Sequence, residues 1–500
     1  MKNAPPILLP LLAAALLLGA PGCVAPRPGP LPPGTPPLPS AFPGSEDATP
    51  AKVPAWGDFF PDPVLAGWIS TALTNNQELH LLLQEVAVAS AENRARKGAL
   101  FPFVNLGGSA GLEKVGARTR NGAVEENLEV EPGRRFPEPL PNYALSADFD
   151  WEVDIWRKLR QERDAALQRY LATREARNFV VTQLIAEVAE AYYDLLALDA
   201  LLANYERMVD LQQKALESVR LKKAAARVTE LAVRRFEAEV LKNRSRLFEI
   251  RQRIVETENQ LHRLAGRYPG PISRAPGAFD QAQPGNLPAG VPADLLRNRP
   301  DIRQAEAELR AAGLEVRAAA ARFYPALNVS AVLGLESFTL GSPILAKENL
   351  LYGATANLVG PLINRTAIRA AFQGASARQV AAVYRYQQTV LKAYLEAVNE
   401  LSRIRNLGQG FELKSRQVEA LMDSAALSAQ LFDSARADYT EVLLTQREAL
   451  EARVELVELK QSQLTAAVKA YRALGGGADG SPEPPEPARK GARPPRPPGK

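Results

Sequence analysis

The stretch FPFVNLGGSAGLE at residues 101–113 returns later in the chain as YPALNVSAVLGLE at residues 324–336. An aromatic residue followed by proline, an asparagine and a closing Gly-Leu-Glu occupy the same places in both. The segment RVTEL at 227–231 likewise resembles DYTEV at 438–442. The aromatic-Pro, the asparagine and the Gly-Leu-Glu of the first pair keep one constant offset, which is the mark of a duplicated structural unit, so the chain is predicted to contain the same unit twice.

Each repeat is predicted to run helix, strand, strand, long helix, helix. The first covers residues 56–266 and the second 291–474, with a linker at 267–290 between them. Long helices are expected at about 157–224 and 366–435, each beside two shorter helices. Apolar residues of the first long helix follow heptad spacing at Leu184, Val188, Ala191, Leu195, Leu198, Leu202, Tyr205 and Val209. A second apolar stripe beside this one indicates helical neighbours on both sides, as in a tube wall or a bundle.

The strands show an alternation of period two. Apolar residues fall at Tyr143, Leu145, Ala147, Phe149, Trp151, Val153 and Ile155, while acids fall between them at Asp148, Asp150, Glu152 and Asp154. An apolar face opposite an acidic face is typical of a strand between lipid and water, so these four acids are expected to face a lumen. The alternative is a half-buried strand of a soluble sandwich, which four strands in 500 residues disfavour.

Strand number has a consequence for assembly. No segment after residue 25 reaches the roughly 18 continuous apolar residues of a membrane-spanning helix, so any crossing has to use strands. A closed barrel needs about eight strands, and lipid does not tolerate open edges. Four strands per chain therefore predict an oligomer.

Composition argues against several other classes of protein. Apolar residues make up 46% and aromatic residues 7% of the chain, and the net charge of +5 is not gathered beside aromatic residues, so nucleic-acid binding is not expected. His80 and His262 lie far apart in sequence and are interpreted as ordinary helix residues. No metal-ligand spacing, nucleophile motif or phosphate loop is present, so we expect no enzyme activity, no metal and no cofactor.

The two ends of the chain have their own composition. Residues 1–22 have the pattern of a signal peptide, and the following Cys23 makes Ala-Pro-Gly-Cys resemble a bacterial lipobox, with lipid attachment at Cys23. The alternative is an ordinary signal peptide with a chance cysteine. Residues 23–55 are rich in proline and are predicted to be an extended tether. Residues 475–500 are predicted to be a disordered tail.

Several motifs resemble the outer membrane factor family of TolC-like ducts, in its lipoprotein branch. They are VP at 291–292, LLRNRPDI at 295–302, AE at 305–306, FYP at 323–325, FDWEVDIW at 149–156 and YRALGGG at 471–477. The resemblance implies a mixed membrane α+β fold. Three chains would form a duct with a 12-stranded β-barrel, four strands per chain, and a long periplasmic α-helical barrel.

The same resemblance implies a function and partners. The chain is expected to be the outer-membrane channel of a tripartite efflux or export system, working with a periplasmic adaptor protein and an inner-membrane pump. It would sit in the Gram-negative outer membrane, anchored in lipid, and extend into the periplasm. The alternative is a structural periplasmic coiled-coil tether or spacer without transport activity.

The turns near 224–229 and 435–440 are expected to form the periplasmic tip. Thr229 and Thr440 are predicted N-caps of the returning helices. Candidate adaptor contacts are Arg227, Thr229, Asp438 and Thr440. In the family, two acids one turn apart line the closed pore near the second turn. Glu441 matches the first acid and Leu444 stands at the second position, so the candidate gate is part acidic and part hydrophobic. Glu230, at the corresponding place in the first repeat, fits helix capping as well as a gate.

Overall fold

The computed structural model describes residues 26–27, 29–34, 37–43, 50, 52–275, 277–339, 346–361, 363–434 and 436–477. The predicted signal peptide at 1–22, the lipid-attachment candidate Cys23 and residues 478–500 of the predicted tail lie outside the described residues.

Eleven α-helices are described. They are α1 (Trp56–Phe59), α2 (Pro63–Asn75), α3 (Gln77–Gly98), α4 (Arg120–Asn127), α5 (Lys158–Ala224), α6 (Glu230–Leu264), α7 (Ala278–Gln281), α8 (Leu295–Asn298), α9 (Pro300–Ala321), α10 (Thr366–Asp433) and α11 (Tyr439–Ala473). The two long helices, α5 and α10, have the bounds that the heptad patterns predicted to within a few residues. Among the described residues, no helix combines the length and the apolarity needed to cross a bilayer.

Six strands are described. They are β1 (Phe103–Glu113), β2 (Glu129–Glu131), β3 (Arg134–Arg135), β4 (Leu140–Val153), β5 (Ala326–Ser337) and β6 (Leu350–Val359). Four of them form one antiparallel sheet in the order β1-β4-β5-β6, while β2 and β3 form a separate hairpin. The central pair, β4 and β5, joins the first repeat to the second. Helix α4 and the small hairpin of the first repeat have no counterpart in the described part of the second repeat, and neither was predicted.

Two helices, α6 and α11, end where the duplicated sequence has a glycine. Gly266 and Gly475 have positive φ values of 64° and 89°, and the residue after each donates its backbone N–H to a carbonyl five residues earlier. This is the Schellman arrangement, which favours glycine because other residues are strained at positive φ. At the end of α5 the same turn contains Ala226, with φ 56°, in place of a glycine.

The chain divides into two compact units. The first contains Val88–Tyr170 and Ala307–Tyr384, with the four-stranded sheet and a small core around Phe323 and Phe372. The second contains Gly34–Ala87, Leu171–Glu306 and the described residues from Arg385 onward. Its main core includes the predicted heptad residues of α5, such as Val188 and Leu195, which are fully buried. Burial of this stripe explains why a helix of such length is stable, since helices owe most of their stability to packing.

Two segments predicted to be loose are packed. Phe42, in the predicted tether, is buried and stacks on Tyr394 with ring centroids 6.0 Å apart. The predicted disordered tail at 475–500 begins too early, because Gly476 and Gly477 are buried. A Cβ at Gly476 would lie 2.5 Å from the Tyr471 ring, so the close approach of the chain there requires glycine.

Candidate functional site

One face of the four-stranded sheet is polar. Residues directly opposite each other in an antiparallel pair project to the same side, and the register places Asp150 of β4 opposite Ser330 of β5. The Ser330 hydroxyl donates a hydrogen bond to Asp150 Oδ1 at 2.9 Å. Farther along the same face, the Asn142 amide donates to Glu336 Oε1 at 2.8 Å. Polar groups from both repeats therefore share one face of the sheet.

The other face is apolar on all four strands. It presents Val104, Leu106 and Leu112 from β1, Tyr143, Leu145, Phe149 and Trp151 from β4, Val329, Leu333 and Leu335 from β5, and Leu350, Tyr352 and Leu358 from β6. Leu106 is 83% exposed and Tyr352 is 78% exposed. A contiguous apolar patch of this kind is not kept in water by a soluble monomer, so another apolar phase has to cover it.

Three of the four acids that were expected to face a lumen lie on the polar face of β4. Asp148 accepts a hydrogen bond from the Ser146 hydroxyl at 3.0 Å, Asp150 accepts from β5, and Glu152 accepts from Lys158 Nζ at 2.8 Å. The expectation for Asp154 is wrong. Asp154 lies beyond the end of the strand, and its carboxylate accepts from the backbone N–H groups of the first turn of α5 at 2.9 and 3.0 Å. Because this side chain is only 6% exposed, it caps the helix instead of lining a wall.

The turn after α5 is held by charged side chains. Glu230 forms ion pairs with Lys223 and Arg234. The hydrogen bond from Lys223 lowers the pKa of the Glu230 carboxyl below its ordinary value. Thr229 stands at the N-cap position, but its side chain makes no capping hydrogen bond. These contacts explain the presence of Glu230 by local stabilisation of the turn. They do not depend on a role of Glu230 in a pore.

The turn after α10 is capped by a different residue from the one predicted. The N-cap of α11 is Asp438, whose side chain accepts from the Tyr439 N–H at 2.6 Å. Thr440, the predicted cap, lies inside the helix and donates its hydroxyl to Asp438 Oδ2 at 2.9 Å. A carboxylate at this position also interacts favourably with the helix dipole, which explains why it displaces the threonine.

Glu441 and Leu444 lie one turn apart on an exposed side of α11. Leu444 is 44% exposed, whereas Val442 is buried against α6 and contributes to the core of this region. Thr445, one turn after Glu441, is half-buried and its hydroxyl pairs with that of Ser428 of α10 at 2.7 Å. The sequence prediction thus selected two neighbouring residues that the chain leaves uncovered.

Sequence reasoning missed a contact that joins the two turns. Lys222, near the end of α5, donates from Nζ to the Phe432 carbonyl oxygen at 3.1 Å and to Asp433 Oδ1 at 2.9 Å. The same ammonium group lies 3.7 Å from the centroid of the Phe432 ring. The sequence does not single out Lys222 among the many charged residues of α5, because its partners come from the other repeat.

The Arg-Pro-Asp-Ile motif at 299–302, for which the sequence predicted no role, holds a buried arginine. Arg299 is buried and donates to Asp301, to Glu396 Oε2 at 3.0 Å and to the Ala473 carbonyl oxygen at 2.9 Å. Burial alone would lower the pKa of Arg299, but hydrogen bonds and charge from Asp301 and Glu396 raise it above its ordinary value. The arginine therefore joins α9, α10 and the end of α11 by charge-assisted hydrogen bonds.

Two acids of α5, Glu190 and Asp194, are half-buried. Burial raises the pKa of Glu190, despite Lys469 at 3.9 Å, and burial also raises the pKa of Asp194. Asp194 accepts a hydrogen bond from the Gln461 amide at 2.9 Å.

The two histidines lie on helices. His262 is buried against Trp68 and hydrogen-bonded to Gly270, and His80 is exposed, as expected for ordinary helix residues.

A duplicated set of long helices attached to a sheet with one exposed apolar face defines a channel subunit of a membrane. The sequence model of the outer membrane efflux protein family matches residues 68–267 and 291–476, and the chain belongs to this family. It is thus an outer-membrane component of an efflux or export system in a Gram-negative envelope, extending into the periplasm, as the sequence analysis predicted.

Individual proteins support the assignment over most of the chain. The solvent efflux pump outer membrane protein SrpC of Pseudomonas putida is 28% identical over 439 residues, covering 87% of this chain and 89% of its own length. The pyoverdine export outer membrane protein OpmQ of Pseudomonas aeruginosa is 28% identical over 479 residues, covering 95% and 97%. The open state of the Neisseria gonorrhoeae MtrE outer membrane channel has the same fold, with a TM-score of 0.78 at 21% identity over 90% of this chain and 98% of that one.

Proposed function

We propose that the chain is one subunit of a homotrimeric duct that passes small molecules from a periplasmic adaptor and an inner-membrane pump to the outside. The observation that carries the proposal is the two-faced sheet. Its apolar face is exposed in the chain alone, and its polar face combines acids from the first repeat with hydroxyl and amide groups from the second. Lipid on one side and water on the other would satisfy both faces.

The edges of this sheet support an oligomer. Within the described residues, β1 and β6 each pair along one edge only. Unpaired backbone groups are costly in hydrocarbon, so these edges need partners. All pairs in the sheet are antiparallel, so β6 of one copy would meet β1 of the next in the antiparallel sense and continue the pattern around a ring. Three copies would give twelve strands, the number that the family resemblance implies.

The turns after α5 and α10 are proposed as the docking tip for the adaptor. Arg227, Thr229, Asp438 and Thr440 all lie in or beside these turns, and Asp438 and Thr440 already bond to each other. The names of relatives support a pump partnership, since SrpC is called a solvent efflux pump outer membrane protein.

The gate is proposed at Glu441 and Leu444. Both are exposed in the single chain, and their spacing puts them on one side of α11. Three carboxylates around a narrow axis would favour cations, while three leucine side chains beside them would narrow the pore with an apolar ring. Asp148, Asp150 and Glu152 would line the wider part of the lumen. Lipid attachment at Cys23 would add a second anchor to the sheet.

One experiment tests the proposal as a whole. The processed protein, purified in detergent, should have a protein mass three times that of one processed chain and should produce stepwise conductance in planar bilayers. A structural tether would remain soluble without detergent and produce no conductance. A monomeric or dimeric mass, or insertion without conductance, would overturn the proposed trimeric duct.

A further inference from the structure

Helix α6 has an apolar stripe on a side that the chain leaves open. Leu241, Phe248 and Val255 follow one another at intervals of seven residues, and all three are exposed, Phe248 by 70%. Seven residues are close to two helical turns, so the three side chains lie on one side of the helix. On another side, Phe236 and Val240 are buried in the core that α6 shares with α5. Apolar stripes on two sides indicate two helical neighbours, and the described part of the chain covers only one of these stripes.

Helix α10 has an open stripe of the same kind. Leu413 is 69% exposed, and Ala420 and Leu427 are exposed as well, again at intervals of seven residues. Another side of this part of α10 is packed, since Val418 and Ser428 are buried. The edge strand β6, which is proposed to meet the next copy, leads along the chain into α10. The single chain thus leaves one apolar helix stripe open in each repeat.

The two stripes differ in the charge around them. Residues 241–255 contain five cations and one acid, whereas residues 412–427 contain three acids and two cations. Contact between the α6 stripes of two copies would bring like charges together, which is unfavourable. Contact between the α6 stripe and the α10 stripe brings opposite charges together, so the chain is complementary to a second copy of itself.

Charged side chains beside both stripes have bonding capacity left. Arg244 on α6 and the acids Glu412 and Glu419 on α10 are exposed, and none of the three forms an ion pair with another described residue. Arg416 lies between the two acids along α10, but it forms no ion pair with either of them. Both acids can therefore accept from a cation of another chain.

The levels of these charges along the helices match. Lys222 bonds to Asp433, so the turns after α5 and α10 lie at the same end of the second unit. Helix α6 runs away from this end and α10 runs towards it, and a rotation axis parallel to the helices would keep two copies level. Arg244 lies 14 residues after Glu230, where α6 begins, and Glu419 lies 14 residues before Asp433, where α10 ends. Both are thus about 21 Å from the turns.

A second pair matches in the same way. Arg251 lies 21 residues after the start of α6, and Glu412 lies 21 residues before the end of α10, so both are about 31 Å from the turns. Arg251 is already bonded to a carboxylate of α5 at 3.1 Å, but 52% of its side chain remains exposed and a guanidinium has five N–H donors. At this register Phe248 falls between the levels of Ala420 and Leu413, so the apolar side chains of the two stripes interleave.

We infer that α6 of one copy of this chain packs antiparallel against α10 of the next copy, with Arg244 facing Glu419 and Arg251 facing Glu412. This inference rests on the proposed ring of copies and assigns the helical contact within it. The contact joins two different edges, so every copy has one edge of each kind to offer and the assembly closes as a ring. A contact between equal edges would stop at a dimer, and the five cations of the α6 stripe oppose it.

The test crosslinks two differently tagged copies in a Cys23→Ser background, which contains no other cysteine. Copies with Arg244→Cys and copies with Glu419→Cys are produced in the same cells, and outer membranes are treated with a short bismaleimide. We expect a covalent dimer that carries both tags, because the two cysteines face each other across the contact. Arg246→Cys in place of Arg244→Cys is the matched control. Arg246 is exposed at nearly the same level but lies on another side of α6, so it should give much less of this dimer.

The outcomes separate the helical contact from the duct. A trimeric mass without the crosslink between Arg244→Cys and Glu419→Cys would overturn the helical contact and leave the duct standing, since another partner or none would then cover the stripes. A crosslink between two Arg244→Cys copies would show that equal edges meet and would also overturn it. A monomeric mass contradicts the proposed duct itself.

A charge swap gives a second measurement that needs no crosslinker. Arg244→Glu places an acid opposite Glu419 and should weaken the assembly about twofold to fivefold in a detergent titration followed by native mass spectrometry, as expected for an exposed ion pair. Adding Glu419→Arg in the same chain should restore the assembly. Arg235→Glu is the matched control, because Arg235 is another exposed arginine of α6 that lies on a different side from the stripe. Equal weakening by Arg235→Glu, or no recovery in the swapped chain, would contradict the pairing.

Discussion

Asp150 in the first repeat and Ser330 in the second lie opposite each other at the centre of the sheet, joined by a hydrogen bond of 2.9 Å. Their neighbours along the strands, Phe149 and Ala331, are paired on the opposite side. The register of β4 against β5 thus places the polar residues of both repeats on the same face of the sheet. A shift of that register by one residue would move every side chain of a strand to the opposite face.

The first prediction concerns the direction of these side chains. In a Cys23→Ser background, Ser330→Cys should react with a membrane-impermeant thiol reagent, and Leu333→Cys should resist it, because the two residues project to opposite faces of β5. Labelling in native outer membranes, measured by mass shift, gives the result. Asn328→Cys and Val329→Cys repeat the comparison, and reaction at Val329 and Leu333 in place of Asn328 and Ser330 would reverse the assignment.

A stability measurement on the same strand adds a magnitude. Leu333→Arg should cost about 2–4 kcal/mol if the residue lies near the bilayer midplane, since a charge on the lipid face is unfavourable. Folding into lipid vesicles in a urea titration would measure it. Ser330→Arg is the matched control on the polar face and should cost much less.

The second prediction tests the gate. Glu441→Gln should reduce cation selectivity in bilayer recordings, because the ring of carboxylates would be lost. Leu444→Ala should raise the conductance of the resting channel by removing the apolar constriction. Glu230→Gln is the control from the first repeat, where the carboxylate is engaged by Lys223 and Arg234. No change in selectivity or conductance for either α11 variant would place the constriction elsewhere.

The third prediction separates the two helix caps. Asp438→Ala should cost about 1 kcal/mol locally, the usual effect of removing an N-cap, whereas Thr229→Ala should cost little because the Thr229 side chain makes no capping bond. Hydrogen exchange of peptides at the start of α11 should accelerate by about fivefold in the first variant. Equal acceleration at the start of α6 in Thr229→Ala would contradict the difference.

The fourth prediction follows from the two half-buried acids of α5, Glu190 and Asp194. A carboxyl group with a pKa raised on folding binds its proton more tightly in the folded state, so Glu190 and Asp194 favour the folded state at low pH and this contribution is lost as the pH rises through the raised values. Glu190→Gln should therefore raise the melting temperature near neutral pH and have little effect at or below pH 4.5, the ordinary value for glutamate. The exposed Glu412→Gln is the control, and a pH-independent effect of Glu190→Gln would contradict the assignment.

The fifth prediction concerns the lipid anchor. Cys23→Ser should abolish the incorporation of labelled palmitate, because Cys23 is the only cysteine in the chain. Membrane residence should persist, since the proposed barrel would hold the protein in the bilayer. Unchanged labelling in the variant would rule out lipid attachment at Cys23.

The amino-acid sequence by itself determined the duplication, the bounds of the long helices and the alternation of the strands. These are local and periodic properties: the heptad of α5 and the period of two in β4 are visible because each turn or pleat repeats the same demand for burial. The glycines that end α6 and α11 were also present as a repeated sequence, although their positive φ became evident only from the structure.

Tertiary structure decided what depended on residues distant in sequence. The period of two in β4 predicted that Asp154 continues the acidic face, because periodicity does not show where a strand ends. In the structure the backbone N–H groups of α5 donate to its carboxylate instead. The sequence pattern placed the cap of α11 at Thr440 instead of Asp438, because a difference of two residues in a helix start lies below what such a pattern resolves. Two contacts unite residues more than ninety positions apart: the ion pair of Lys222 with Asp433 and that of the buried Arg299 with Glu396. Only packing brings such groups within hydrogen-bonding distance, since a hydrogen bond requires both partners within about 3 Å and no sequence period encodes that approach.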